Sequence, residues 1–401
     1  MEKKLIGSKE QLTFRQDMQS ELAALLSWWM QHMMDKRGGF YGRMDSPHQL
    51  QVRANRGLVL NARILWTFSA AARQCRNATY ADAAHHAWQY LHRCFTDDRH
   101  GGLYWMLDHE GKVVQAKKQI YAQAFALYAY AEYHRLSGND EALQEAIQLF
   151  DLIEQHSLDK QQGGYLEAFS REWELLEDVR LSDKDANEAK TMNTHLHILE
   201  AYTNLFRVHP TTELTEALRN LIRLFLDRFI DPVHHHLQLF FSQDWQPRST
   251  AISYGHDIEC SWLLLEAAEA LGEEKLLAEV RERSLQMAVA TLSNGMDKDG
   301  ALLYEIHPDG SVDDDKHWWP QAEAIIGFWS AWQLSGDMVH QQAALRCWDF
   351  VRQYIRDREH GEWHWGVTAG GGKRIADQYK AGPWKAPYHN VRMCLELLDR
   401  L

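Results

Sequence analysis

Lys36-Arg37-Gly38-Gly39-Phe40-Tyr41, Arg99-His100-Gly101-Gly102-Leu103-Tyr104 and Gln162-Gly163-Gly164-Tyr165 are three copies of one turn signal. Weaker copies follow at His234-His235-His236-Leu237-Gln238-Leu239, Asp299-Gly300-Ala301-Leu302-Leu303-Tyr304 and His360-Gly361-Glu362-Trp363. The copies stand about 60 to 75 residues apart, the mark of a repeat architecture. A glycine pair followed by an aromatic residue signals a tight reversal into a short extended segment. Six such reversals, each flanked by helical sequence, suggest six helix pairs closed into a ring.

Between the turns the apolar residues recur with a helical period. Residues 19–34 carry Leu22, Leu25, Leu26, Trp29 and Met33 on one stripe, a period of about 3.6. Residues 57–74, 80–94, 119–136, 140–156, 191–207, 212–229, 256–271, 274–291, 319–335, 338–356 and 386–400 read the same way. The helices are of two kinds. Segments such as 139–155 and 213–228 keep one charged face and suit an outer layer. Segments such as Gly57 to Trp66, Tyr121 to Tyr128 and Glu323 to Trp329 are apolar almost all round, which marks a buried helix. Alternating outer and inner helices describe an all-α (α/α)6 barrel with short β-hairpins between repeats. An open α-solenoid of helix pairs is the competing architecture. The repeat runs from residue 36 to residue 363 without a Pro/Gly/Ser-rich linker, so one catalytic domain over 1–401 is expected.

Composition narrows the function. The formal net charge is −13, which disfavours a nucleic-acid backbone as partner, since that needs a basic face. No run approaches 18 apolar residues, so no membrane span is expected. The first eight residues, Met1-Glu2-Lys3-Lys4-Leu5-Ile6-Gly7-Ser8, lack the apolar core of a signal peptide. Cys75, Cys94, Cys260, Cys347 and Cys394 are odd in number and scattered, as expected of reduced thiols in the cytoplasm. Sixteen tryptophans are a heavy load, and several stand beside polar residues at helix starts, which suggests a pocket for something with an apolar face.

The inner helices begin with polar and aromatic residues: Arg63; Tyr121; Asn193 with His195 and His197; His256 with Glu259; His317 with Trp318 and Trp319; Trp384 with His389. In a closed ring these ends meet around one axial cavity, and ligand pockets have this mixture of apolar walls and few polar groups. His256 and Glu259 share a helix face at i,i+3, so the carboxylate could orient the imidazole or form a surface ion pair. His195 and His197 point to different faces, so at most one of them reaches the cavity. Arg63 in an apolar helix needs an anion, either a ligand or a structural carboxylate. The His234–His236 run has no further spaced ligands, and no metal site is expected there or at His256.

Histidine transfers protons in both directions near neutral pH. Abstraction of a proton α to a carbonyl needs a base, a second acid/base group and a cation on the enediolate oxygen. Two histidines and an arginine meet that need. Tryptophan faces match the C–H faces of a sugar ring. No phosphate loop and no nucleophile elbow is present.

The segments Asn61-Ala62-Arg63-Ile64-Leu65-Trp66, Met192-Asn193-Thr194-His195-Leu196-His197, Gly255-His256-Asp257-Ile258-Glu259, Trp318-Trp319-Pro320-Gln321-Ala322-Glu323 and Gly382-Pro383-Trp384-Lys385-Ala386-Pro387-Tyr388-His389-Asn390 carry a resemblance. In this order they resemble the N-acylglucosamine 2-epimerase superfamily, and within it the cellobiose 2-epimerase branch. The resemblance implies an (α/α)6 barrel and a cofactor-free isomerase that exchanges glucose and mannose at the reducing end of β-1,4-linked disaccharides. Cellobiose, lactose and mannobiose are the implied substrates. Mannose isomerase and N-acylglucosamine 2-epimerase chemistries are the alternatives on the same barrel. The resemblance also implies His256 and His389 as the acid/base pair and His197 at the C1/C2 oxygens. Arg63 would stabilise the enediolate. Tyr121, Asn193 and Glu259 would hold hydroxyls or orient a histidine. Trp319 or Trp318, with Trp384, would stack on sugar rings, and Asp185 would reach the distal sugar. A monomer is expected.

Overall fold

The computed structural model describes residues 8–369 and 372–401. Residues 1–7, part of the stretch read as lacking a signal peptide, lie outside the described residues. Among the described residues, twelve α-helices alternate between two layers. The outer ones are α1 (Ser8–His32), α3 (Ala78–Tyr90), α5 (Asp140–His156), α7 (Thr212–Leu224), α9 (Glu274–Gly295) and α11 (Met338–Phe350). The inner ones are α2 (Leu58–Cys75), α4 (Ile120–Ser137), α6 (Met192–Phe206), α8 (Tyr254–Leu271), α10 (Trp318–Ser335) and α12 (Tyr388–Arg400).

Each inner helix packs on the next, α2 on α4, α6, α8, α10 and α12 in turn, and α12 packs back on α2. That last contact closes the ring and excludes the open solenoid. Inner helices are buried on nearly every face, as their all-round apolar sequences require. Outer helices keep one wet face; in α7 only Leu214, Ala217, Leu218, Leu221 and Ile222 are buried.

The expected helix limits differ at the ends. α1 starts well before residue 19, and Phe14 and Met18 on its early turns are core residues. α3, α7 and α11 each finish in a five-residue π-helical turn, at Leu91–Phe95, Phe225–Phe229 and Val351–Ile355. The apolar period carries through these turns, so the sequence reads them as ordinary helix.

All six turn signals become reversals closed by a single antiparallel bridge: Met34–Phe40, Thr96–Leu103, Leu158–Tyr165, Ile230–Leu237, Met296–Leu302 and Arg356–Trp363. Gly39, Gly102 and Gly164 hold positive φ at the tightest point, where a side chain would strain the backbone. At five of the six turns an acid, buried in every case but Asp297, then grips the segment leading into an inner helix. Asp35 pairs with Arg56 at 2.5 Å, Asp97 with Lys118 at 3.0 Å and Asp159 with Lys190 at 3.0 Å. Asp297 pairs with Lys316 at 2.9 Å and Asp357 with Lys380 at 2.6 Å. The fourth repeat differs: Ile252 stands where the cation would be, and Asp231 accepts from the Val233 and His234 amides instead.

A second grip comes from the fourth residue of the inner helix. Gln123 clasps both backbone groups of Leu103, and Gln321 does the same to Leu302. His195 Nε2 accepts from the Tyr165 amide, and Asp257 accepts from the Leu237 amide. The turns are thereby fixed to the N-terminal ends of the inner helices, and those ends are held in one ring.

Candidate active site

At this end of the barrel lies a cavity of about 400 Å³. Its polar residues come from repeated positions of the inner helices. Tyr121, Asn193 and Trp319 are second residues; His256 is a third; Arg63, His197, Glu259 and Glu323 are sixth residues. His389 and Arg392 take corresponding places on α12, which starts one residue late after Pro387, and Glu323 and Arg392 stand behind the cavity wall rather than on it. All eleven residues expected from the sequence line this one cavity: Arg63, Tyr121, Asp185, Asn193, His197, His256, Glu259, Trp318, Trp319, Trp384 and His389.

Three of the four cavity histidines are anchored from behind through Nδ1; the fourth, His317, stacks on Tyr304 with ring centroids 3.9 Å apart. His389 Nδ1 lies 2.7 Å from Glu323 Oε1. His197 Nδ1 lies 3.0 Å from Glu200 Oε2. His256 Nδ1 meets a hydroxyl, Ser253 Oγ, at 2.7 Å. Burial, then His197, pushes the His256 imidazole down to about 3. Burial, then Arg63 and Arg392, holds His389 well below the usual histidine range. Both rings are therefore neutral at pH 7, the form able to take a proton. The Trp319 ring lies against both of them, with centroids 4.8 Å from His256 and 5.6 Å from His389.

Arg63 is 3% exposed and has no carboxylate partner among the described residues. Its Nη2 donates to Tyr121 Oη at 2.7 Å and its Nη1 to the Trp384 carbonyl at 3.4 Å. The guanidinium faces the rings of Phe125 and Tyr388 at 4.4 and 5.0 Å, and its Nε is buried without a partner. Of the two readings left open by the sequence, a structural salt bridge is thus absent. A buried cation without a counter-ion is costly, and an anionic ligand in the cavity would relieve it.

Glu259 does not orient His256. Ser253, one turn before His256, takes that place. The Glu259 carboxylate turns to the barrel axis, where Oε1 accepts from Arg392 Nη2 at 2.5 Å and lies 4.0 Å from His389 Nδ1. Burial and then the neighbouring Glu323 raise Glu259 to about 7. Glu323 Oε1 accepts from the same Arg392 nitrogen at 2.7 Å, and Glu200 and the Tyr388 hydroxyl meet its other nitrogen. Glu259, Glu323 and His389 offer donor atoms within 4.8 Å of one another, a spacing that suits a metal ion. Arg392 already sits between the two carboxylates as their cation.

Trp318 and Trp319 behave differently. Trp318 is 2% exposed and packs on Trp365 at 4.5 Å, whereas Trp319 is the one that touches the histidines. Asp185 stands at the rim, where its carboxylate accepts from the Ser182 amide and hydroxyl at 2.8 and 2.7 Å. Tyr304, Tyr379 and Gln378 also line the cavity, and the sequence reading assigned them nothing. Gln378 and Tyr304 lie outside regular elements and Tyr379 opens a three-residue strand, Tyr379–Ala381, too short to carry a periodic signal. Glu200 and Arg392 were likewise missed, though each is a charge within a buried stretch of its helix, and such a charge must find a partner. His195 and His236 are structural. His195 Nδ1 bonds the Thr191 carbonyl, and His236 is held by Asp257 at 2.7 Å and Asn294 at 3.1 Å.

The family profile of N-acylglucosamine 2-epimerase (GlcNAc 2-epimerase) matches residues 39–393. A cellobiose 2-epimerase of Bacteroides fragilis is 48% identical over 96% of this chain and 98% of its own. One from Ruminococcus albus is 37% identical over 94% of this chain and 96% of its own. The solved structure of a cellobiose 2-epimerase from Bacillus thermoamylovorans superposes with a TM-score of 0.93 at 39% identity, covering 97% of this chain and all of that one. With these similarities spanning both the barrel and the motifs that line its cavity, the chain belongs to the N-acylglucosamine 2-epimerase family.

Proposed function

We propose that the protein is a carbohydrate 2-epimerase that interconverts cellobiose and glucosyl-mannose. The observation that carries this reading is the pair His256 and His389, both held neutral, on one cavity with the carboxylate-free cation Arg63 beside them. The open-chain sugar presents an acidic C2–H next to the C1 carbonyl. One imidazole takes that proton, and the bonding electrons move onto the carbonyl oxygen to give a planar enediolate. Arg63 supplies charge to that oxygen, and the His197 Nε2 lone pair accepts from the C1/C2 hydroxyl. Rotation about C2–C3 turns the other face toward the second imidazole, which picks up a proton from solvent and delivers it to C2, while the first imidazole releases its proton to solvent. Trp319 and Trp384 offer faces for the two sugar rings, and Asp185 at the rim suits a distal hydroxyl. Tyr121, Asn193 and Glu259 supply further polar contacts. This reading takes the protein as a cytosolic monomer; five unpaired cysteines support a reducing compartment.

Incubation with cellobiose in D2O, followed by NMR, tests the proposal. The expected product is glucosyl-mannose with deuterium at C2. A ketose product would make the enzyme an aldose–ketose isomerase, and an unchanged sugar would reject cellobiose as substrate. His256→Ala and His389→Ala should each remove turnover while circular dichroism stays unchanged.

A further inference from the structure

We propose that Arg392 is a positioning residue that sets two of the cavity histidines at once, an inference that rests on the epimerase reading for its catalytic meaning. Its guanidinium is 1% exposed and lies behind the cavity, among three buried carboxylates from three different helices. Glu200 of α6 holds His197, and Glu323 of α10 holds His389. Both carboxylates bond Arg392, one on each terminal nitrogen. The Tyr388 hydroxyl bonds both Glu200 and Arg392. The Trp262 indole donates to Glu323 Oε2 at 3.1 Å and lies under the guanidinium at 4.8 Å.

A carboxylate behind a histidine fixes the tautomer: Nδ1–H donates backward, and the Nε2 lone pair is left for the cavity. Three carboxylates packed this close repel one another. Without a planar cation they would separate or take up protons, and either change would turn a histidine. A guanidinium reaches all three through its fixed fork; an ammonium is a point charge and cannot. One residue thus ties the alignment of His197 to that of His389.

The groups facing His389 decide how it titrates. Arg63 on α2 and Arg392 on its own helix oppose its protonation, as does His197 on α6. Glu200, Glu259 and Glu323 favour it, and Tyr121 and Tyr388 complete the wall. Removing Arg392 takes away a cation and frees three acids, so the imidazole must become easier to protonate.

The test is a histidine-selective 15N NMR titration of the ligand-free protein, with Arg392→Lys and Arg392→Met compared to the parent. The parent should show His197 and His389 as Nδ1–H tautomers, with His389 still neutral at pH 5. In Arg392→Met, His389 should titrate at least one pH unit higher, and both tautomer signals should broaden or invert. Arg392→Lys should keep the charge but lose the His197 tautomer. On cellobiose, kcat should fall more than tenfold in Arg392→Lys, with KM within threefold of the parent. Unchanged His197 and His389 signals in Arg392→Lys would overturn the proposal. Should neither variant fold, the cycle of Glu200→Gln, Glu323→Gln and the double variant decides. Strongly non-additive effects on the His197 and His389 signals support a shared anchor, and additive effects refute it. A parent inactive on cellobiose but with the expected tautomers would reject the substrate assignment and leave this inference standing.

Discussion

His389 and His256 face the same cavity but rest on different supports, a carboxylate for one and a hydroxyl for the other. A hydrogen bond to a charged group contributes about 1.5–3 kcal/mol and a neutral one about 0.5–1.5 kcal/mol. Glu323→Gln should therefore lower kcat on cellobiose by about 10- to 200-fold, and Ser253→Ala by no more than about 10-fold. Steady-state kinetics of the two variants checks the order; a larger loss in Ser253→Ala would reverse the two supports. The sign of the pH dependence follows from the same burial. Folded-state values below the ordinary 6.5 mean that both rings stay neutral as pH falls past the usual range. Neither histidine should put an acid limb into kcat/KM between pH 7 and 5; Glu259, raised to about 7, titrates in that range, and a limb that persists in Glu259→Gln would contradict the neutral histidines. The histidines were legible because each sits in a short motif at a helix start. Glu323 stood in one of those motifs without a role, and Glu200 and Arg392 stood in none. The signal for Glu323 was positional: Arg63, His197, Glu259 and Glu323 are all sixth residues of inner helices, a regularity that needs the helix starts to be known.

The elements present these residues because turns and helix starts are clasped to each other. Gly255 shows how little space the clasp leaves. A Cβ there would stand 2.5 Å from the far edge of the Trp319 ring and 3.1 Å from Pro320. Alanine suits a helix better than glycine by about 1 kcal/mol, so Gly255→Ala should fold normally while pushing Trp319 off the two histidines. The expected result is an unchanged melting temperature with at least a tenfold loss in kcat/KM on cellobiose. Unchanged kinetics would remove Trp319 from any role in the site. The ion-pair clasps answer a different question. Lys190 and Asp159 are buried, and removing one partner of a buried pair costs about 3–5 kcal/mol. Lys190→Met should destabilise the third repeat by that amount in chemical denaturation, and a cost below 1 kcal/mol would show that the grip lies in the backbone bonds alone. Three of the six turns were readable from their glycine pairs, since positive φ leaves few residue choices, and the other three from weaker copies at similar spacing. The clasps were not, because an Asp–Lys pair joins residues 19 to 31 apart with no local pattern. The fourth repeat, with Ile252 in place of the cation, shows that the device is dispensable once.

Closure of the ring makes the first and last helices neighbours, and it gives the chain ends a part in the site. α1 packs on α12. Trp29 Nε1 donates to Glu362 Oε2 at 2.6 Å, and Trp363 Nε1 donates to Glu21 Oε1 at 2.7 Å. Glu362 also accepts from Lys385 at 3.0 Å and from Asn390 at 2.8 Å, and Asn390 adjoins His389. The seam between the first and sixth repeats therefore supports the helix that carries His389 and Arg392. An open solenoid tolerates loss at its ends, because each repeat touches only its neighbours. A closed ring does not, and one domain spanning the chain should unfold in one step. Truncating a buried tryptophan costs about 3–5 kcal/mol. In Trp363→Ala that cost should appear as a single calorimetric transition at lower temperature, with amide exchange rising in α12 and α2 together. An exchange increase confined to α12, or a second transition for the remaining repeats, would mean that the terminal repeat opens on its own and that the ring is not one cooperative unit.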